Sequence, residues 1–290
     1  MKGDAKMFAF LNGDYIPKEK LRISPDDRGF LFADGVYEVI RSYNGGLFQV
    51  EAHLKRLERN VRELRIPYAD IDSLKMVAER LIRENDLTSG QATIYLQITR
   101  GSAPRLHRFP VEEVPATVYA CANLLQPHDD ELQKGTKVIL VPDIRWSRCD
   151  IKSISLLPNV LAHQQAVEKG ATEAIFVRDG AITEGTHSNF CGIFQGQFMT
   201  APKSNYILPG ITREIVLGLC HQLDIPIKES PILKNQLRKA DELLIVGTTV
   251  EITPVVQGDD WLVGNGKPGP VTQRLQKAFY QLVKRNKAFS

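Results

Sequence analysis

The 290-residue sequence predicts an α/β (α+β) fold of two domains, because the chain exceeds the usual size of one. Three observations carry this expectation. Strand-like and helix-like segments are mixed along the chain, without the regular βαβ alternation of a Rossmann-type sheet. Gly-containing turns at Asn12-Gly13, Asn44-Gly45-Gly46 and Asp179-Gly180 join short apolar runs, as antiparallel hairpins require. A polar stretch, "QPHDDELQKG", interrupts the pattern near the middle. The predicted division is therefore an α/β domain over residues 1–125, a linker over 126–133 and a mostly antiparallel α/β domain over 134–290, which contains Lys152.

Each element has a local reason. "FAFLNGDYIP" reads as strand, turn and strand, and "GVYEVIRSYNGGLFQV" as a longer hairpin. "EAHLKRLERNVRELRI" sets Leu54, Leu57, Val61 and Leu64 on one helical face, with His53, Arg56 and Asn60 along its flank. Residues 70–86 form a second amphipathic helix, and "ATIYLQITRG" and "ATVYACANLL" two strands. Beyond the linker come the strand "KVILVPDI", a helix after Lys152, the hairpin "EAIFVRDGAITEG" and the strand region "GIFQGQFMTA". A helix starts at Thr212 after Pro209-Gly210, "DELLIVGTTVEITPVV" supplies late strands, and "VTQRLQKAFYQLVKRN" a last helix.

Composition excludes several function classes. With 43% apolar and 24% charged residues the chain can fill a sizeable core. A net charge of +3, from 37 basic and 34 acidic side chains, gives no electrostatic footprint for nucleic acid or a membrane surface. Asp4 and Lys6 stand where a signal peptide needs an apolar run, and no apolar stretch reaches bilayer length. Cys121, Cys149, Cys191 and Cys220 are scattered, so reduced thiols and a cytoplasmic location are expected. The six histidines lack metal-ligand spacing, and no metal site is expected.

Three loops of the second half, "TEGTHSN", "LPGITRE" and "VGTTVE", are rich in glycine and hydroxyl residues. Such loops are commonly plain turns. In "LPGITRE", however, a glycine precedes a helix start, where free N–H groups favour a phosphate. Thr248 and Thr249 offer hydroxyls for the same dianion, and Arg56 a fork of donors. Glu184, at the end of a hairpin strand, either pairs with an arginine or faces a protonated ring nitrogen of a cofactor. Lys152 is either a solvated lysine or a buried amine with a lowered pKa, able to form a Schiff base. Arg105 and His107 in "TRGSAPRLHRFP" make either a solvated basic loop or a trap for a carboxylate.

Taken together, "LNGDYIP", "DRGFLFADGVYEVIR", "HLKRLERN", "TRGSAPRLHRFP", "DIKSISLLPNVLA", "EAIFVRDGAITEGTHSNFCGI", "ILPGITRE" and "TTVEITPV" resemble the fold-type IV (class IV) pyridoxal-phosphate aminotransferases, and within them the D-amino-acid branch. The resemblance runs almost end to end. It implies a cofactor, pyridoxal 5'-phosphate, at the domain interface, with Lys152 as the Schiff-base lysine and general base. It also implies that Glu184 keeps the pyridine nitrogen protonated and that Leu208 packs against the ring. Arg56, Ile211, Thr212, Thr248 and Thr249 would hold the phosphate, and Ser188 and Asn189 would also contact the cofactor. Tyr37, Arg105 and His107 would hold the substrate carboxylate, the last two reaching in from the neighbouring subunit of a homodimer. His187 stands where relatives often carry serine, which leaves its cofactor contact open.

The implied reaction is transamination between a D-amino acid, such as D-alanine, and a 2-oxo acid, such as 2-oxoglutarate or pyruvate. Other activities of the same fold are branched-chain L-amino-acid aminotransferase, R-amine transaminase and aminodeoxychorismate lyase. "RLH" after "TRGSAP", and "KSISLLPNVLA", point to the D-amino-acid branch. A non-catalytic phosphate-binding module would explain the loops but not Lys152 together with Glu184.

Overall fold

The computed structural model describes residues 7–285. Asp4 and Lys6, on which the absence of a signal peptide was argued, lie outside the described residues, as do the last residues of the C-terminal domain. The chain divides into two compact units: residues 7–127 with 151–155, and residues 128–150 with 156–285.

The first unit begins with the hairpin β1 (Phe8–Leu11) and β2 (Asp14–Pro17), followed by a short helix α1 (Arg28–Phe32). β3 (Gly35–Tyr43) and β4 (Gly46–Leu47), α2 (Val50–Glu63), α3 (Ser73–Glu84), β5 (Gln91–Thr99) and β6 (Thr117–Leu124) complete it. Its antiparallel sheet has the order β2-β1-β6-β5-β3-β4. The alternation in "QATIYLQIT" puts Ala92, Ile94, Leu96 and Ile98 on one buried face. Leu54, Leu57 and Val61 of α2, with Leu74, Leu81 and Ile82 of α3, pack in the same core. Each fully buried Ile or Leu contributes roughly 1.5–3 kcal/mol, so this face outweighs any local propensity. Leu64, the last residue of the predicted helical stripe, is only partly buried.

The second unit opens with α4 (Asp129–Lys134), which but for Lys134 lies in the stretch expected to be a linker. Three acidic residues in its first turn and Lys134 in its last suit the helix dipole. β7 (Thr136–Pro142), α5 (Leu157–Glu168) and β8 (Glu173–Arg178) form a parallel βαβ unit, with Ala162 and Ala166 packed against Ile139, Val141 and Phe176. β9 (Ala181–Gly185), β10 (Asn189–Phe194), β11 (Gln197–Thr200), α6 (Ile211–Gln222), β12 (Ile227–Glu229), β13 (Ile232–Leu233), β14 (Glu242–Gly247), β15 (Glu251–Gly258), β16 (Trp261–Leu262) and α7 (Pro270–Arg285) follow. The sheet runs β12-β11-β10-β14-β15-β7-β8-β9-β13, and β9 also pairs with β10 through Glu184 and Asn189. That extra pairing closes a ring of six strands and seats both residues at its seam.

One segment departs from the predicted division. Residues 151–155, containing Lys152, group with the first unit rather than the second. The reason is backbone pairing: Tyr37 N donates to Lys152 O at 3.0 Å, and Ile154 N to Gly35 O at 3.1 Å. Ser153 bridges Val36, and Ile151 enters the core of the first unit. The segment is an added edge on β3, a partnership that apolar periodicity does not reveal.

Candidate active site

The pairing just described sets Lys152 beside Tyr37, with its Nζ 4.2 Å from the centre of the tyrosine ring. Lys152 is half-buried rather than enclosed, which leaves its amine reachable by a ligand. The Tyr37 ring stacks on Tyr95 at 5.7 Å, and the Tyr95 hydroxyl donates to Gln97 Oε1 at 2.6 Å. A cavity of about 490 Å³ in this unit is lined by Ile23, Asp27, Phe30, Gln97, Tyr119 and Ile154, among others. None of the residues expected to hold cofactor or substrate lines it.

Arg105 and His107 are exposed, and both lie over the Phe32 ring, at 5.2 and 5.5 Å. Their loop is fastened from behind. Arg28 donates to the Leu106 carbonyl at 2.7 Å and to Asp34 at 2.9 Å, and Arg100 forks onto the same Asp34 at 2.8 and 2.9 Å. Among the described residues no hydrogen bond or ring contact joins Tyr37 to Arg105 or His107. The structure thus pairs Lys152 with Tyr37 and Arg105 with His107, but does not join the two pairs.

The flank of α2 noted in the sequence is buried: His53, Arg56 and Asn60 all point inward. Arg56 directs its fork at Glu38, with Nε to Oε1 at 2.6 Å and Nη2 to Oε2 at 2.9 Å, and His53 Nδ1 meets Oε2 at 2.9 Å. Burial opposes the charge on Glu38, yet Arg56 and His53 hold its carboxyl well below the usual range. Burial lowers the pKa of His53. The donors expected to face a phosphate are therefore largely engaged by a carboxylate, which fixes the guanidinium in place.

In the second unit Glu184 is buried and pairs with an arginine, Arg145, whose Nη1 donates to Oε1 at 2.5 Å. Its other oxygen accepts from Asn189 Nδ2 at 3.1 Å and from Leu208 N at 2.9 Å. Asn189 also donates to the Leu208 carbonyl at 3.0 Å, so Glu184, Asn189 and Leu208 form one fixed group. Arg145 is held in turn by Asp143 through Nε and Nη2, and Arg178 also pairs with Asp143. Burial works against the Asp143 charge, but Arg145 and Arg178 keep its carboxyl below the usual range. The pairing with Arg145 answers the desolvation cost of burying the Glu184 charge.

α6 begins at Ile211, one residue before the predicted start, after the N-cap Gly210, which has no side chain to cap it. The first-turn N–H groups thus lack an intrahelical partner and suit an anion. Thr212 is buried at this point, whereas Arg213 turns away to the Ala201 carbonyl and Glu229. A Cβ at Gly210 would meet Asn189 Oδ1, so glycine is what lets the helix start approach the Glu184 group. Thr248 and Thr249 lie in the tight turn between β14 and β15, whose Gly247 abuts the backbone of His187 and Ser188. Ser188 Oγ donates to Glu173 at 2.8 Å, and His187 Nδ1 lies 2.8 Å from the same carboxylate.

Sequence reasoning missed Arg145, Asp143, Glu38 and Glu173. The sequence implies an arginine partner for Glu184 without naming it; the signal for Arg145 is its place just past the strand "KVILVP". Glu38 was discernible as a charged residue in the inward register of "GVYEVI", where it must have a cation. The four cysteines are all buried and unpaired.

Known proteins place this geometry in context. Residues 35–257 match the family model for amino-transferase class IV. D-alanine aminotransferase of Staphylococcus haemolyticus is 42% identical over 275 residues, covering 94% of this chain and 97% of that protein. The D-alanine aminotransferase of Bacillus licheniformis is 41% identical over 273 residues, 94% of this chain and 95% of its own. Among solved structures, the Escherichia coli branched-chain amino acid aminotransferase superposes with a TM-score of 0.88 at 27% identity, over 95% of this chain and 94% of the other. The branched-chain aminotransferase of the archaeon Thermoproteus uzoniensis, solved with norvaline, gives 0.87 at 27%, over 96% and 94%. A lysine beside a β3 tyrosine, a carboxylate braced by arginine and an uncapped helix start thus occur within a match spanning most of the sequence, and the chain belongs to the class IV aminotransferases.

Proposed function

We propose that this aminotransferase moves the amino group between a D-amino acid, such as D-alanine, and a 2-oxo acid, such as 2-oxoglutarate or pyruvate, with pyridoxal 5'-phosphate as cofactor. The observation that carries the reading is the near full-length similarity to proteins named D-alanine aminotransferase, joined to Lys152, whose backbone pairs with β3 and whose Nζ lies over the Tyr37 ring. The donor set fits the cofactor: uncapped N–H groups at Ile211 and Thr212, the hydroxyl turn at Thr248 and Thr249, and a braced carboxylate at Glu184. When bound, pyridoxal phosphate supplies an aldehyde for amines and a ring that draws electrons from the carbon beside the nitrogen.

The chain's own groups do the rest. Lys152 Nζ would anchor the cofactor and, once freed by the incoming amine, would take the proton from the substrate α-carbon as general base and pass it to the cofactor rather than back to that carbon. Glu184, held by Arg145, Asn189 and Leu208, would keep a proton on the cofactor's ring nitrogen, and Leu208 would pack against the ring. Ile211, Thr212, Thr248 and Thr249 would hold the phosphate together with Arg56, whose fork Glu38 also engages, and Ser188 and Asn189 would contact the cofactor. Tyr37, Arg105 and His107 take the substrate carboxylate and so decide which hand of amino acid presents its hydrogen to Lys152.

We read the protein as a homodimer in which the Arg105–His107 loop serves the partner subunit's site. Exposed apolar side chains support this: Phe30, Leu106 and Val111 in the first unit, and Leu157, Val160 and Leu161 on α5 in the second. Four unpaired cysteines fit a cytoplasmic location. Among the described residues no helix is long and apolar enough to cross a membrane.

Turnover of D-alanine, L-leucine and R-phenylethylamine, each with 2-oxoglutarate, tests the reading. D-alanine is expected to lead; preference for L-leucine would move the chain to the branched-chain activity. Lys152→Ala is expected to abolish transamination and keep the fold by circular dichroism, and substantial residual turnover would refute its role as base. Arg105→Ala is expected to raise KM for D-alanine more than for an amine without a carboxylate. Equal losses on both would remove Arg105 from the carboxylate site.

A further inference from the structure

His163, Glu173 and His187 offer ligand atoms that all lie within 4.8 Å of one another. They come from α5, from the first residue of β8 and from the turn between β9 and β10, all in the second unit. We propose that these three residues form a binding site for one divalent transition-metal ion of the zinc type, adjoining the Ser188–Asn189 turn but with ligands other than the groups assigned to transamination.

The carboxylate is prearranged. Glu173 Oε1 accepts from the backbone N–H of Ala174 at 2.9 Å and of Thr186 at 3.0 Å, and from Thr186 Oγ1. Oε2 accepts from Ser188 Oγ at 2.8 Å. A Cβ at Gly185 would collide with Ser188 Oγ and with Glu173 Oε2, so the turn is wrapped tightly on the carboxylate. α5 is tied to the same turn by Asn159, which donates to the Thr186 carbonyl at 2.7 Å one helical turn before His163. Neither imidazole is enclosed. His163 is 44% and His187 42% exposed, their rings meet edge-to-face at 5.5 Å, and their Nδ1 atoms stand 3.9 and 2.8 Å from the carboxylate.

Two imidazoles and one carboxylate are a ligand set for zinc, with nickel, cobalt or copper as competitors, rather than for magnesium or calcium. Solvent exposure on the imidazole side lets water complete the coordination. The groups are also suitably charged. Glu173 supplies the one carboxylate of the set, held by backbone and hydroxyl donors, and the two imidazoles supply neutral nitrogen ligands. No spacing signal marks the site in the sequence, because residues 163, 173 and 187 belong to three elements.

The test is calorimetric titration of the chelator-treated, cofactor-loaded protein with zinc chloride. One ion per chain is expected. His163→Ala and His187→Ala should each weaken binding at least about ten-fold and remove the zinc-dependent rise in melting temperature. No saturable binding by the wild-type protein, or wild-type affinity in both histidine variants, would overturn the site. Glu173→Gln, where it folds, should also lose affinity; full retention would overturn the carboxylate's role, and if it does not fold the histidine variants decide alone. The cofactor's own absorbance, read in parallel, separates this outcome from failure of the aminotransferase reading: zinc binding does not require that reading to hold.

Discussion

Glu38 in the first unit and Glu173 in the second are both fully enclosed, and each meets a histidine Nδ1, at 2.9 and 2.8 Å. Their surroundings make them different devices. Glu38 faces His53 and Arg56, which are themselves buried, so all three groups lock one another in place. Glu173 faces two imidazoles that remain open to solvent, and its fixed partners are uncharged backbone and hydroxyl groups. The same acid–imidazole contact is an internal brace when both members are dry. It becomes a responsive, ligand-ready group when the base stays wet, because protons and ions can reach it.

The largest expected effect is that of Glu38→Gln. In the cofactor-free protein it leaves the Arg56 charge buried without its counter-ion and should cost about 3–5 kcal/mol, measured by urea denaturation. A loss below about 1 kcal/mol would break the comparison, because Arg56 would then have another anion. Glu173→Gln should cost less, about 1–3 kcal/mol, since its lost contacts are hydrogen bonds and half-exposed imidazoles. A loss exceeding that of Glu38→Gln would reverse the ranking.

The smallest effect concerns pH, and the two histidines should respond with opposite sign. The Glu173 carboxylate 3.9 Å from its Nδ1, despite some burial, raises the pKa of His163 above its ordinary value of about 6.5. Its stabilisation is therefore complete below that value and disappears as pH rises through the raised one. Burial lowers the pKa of His53, so its folded form favours the neutral ring; that contribution is present above about 6.5 and is lost as pH falls toward the lowered value. Imidazole NMR titration should find His163 shifted up and His53 shifted down. A common direction would erase the distinction between wet and dry pairs.

Much of the architecture was legible because it is local. The turns at Asn12-Gly13 and Asp179-Gly180, the period-two run in "ATIYLQIT" and the helical stripe at Leu54, Leu57 and Val61 each encode their element in a few residues. The Gly210 start of α6 was equally readable, within one residue. The site was less so. Glu184 left two readings open, and the arginine partner is present: Arg145 lies 39 positions away. No short-range pattern selects it among the basic residues. Arg56 was expected as a free fork, yet Glu38, 18 positions earlier, engages that fork. α4 and α1 were missed because each is about one to two turns long, too short for a periodic signal.

By itself the sequence determined the strands, turns, longer helices and the linear motifs that mark the family, since these depend on propensity and spacing within a few residues. Only the tertiary structure decided that Lys152 belongs to the first unit, that Arg145 braces Glu184 and that His163 and His187 converge on Glu173. Those outcomes hinge on strand register and helix docking, where many distant residues are packed at once. A charge buried by that packing takes whichever partner the fold brings within about 3 Å, and the order of residues along the chain does not specify that distance.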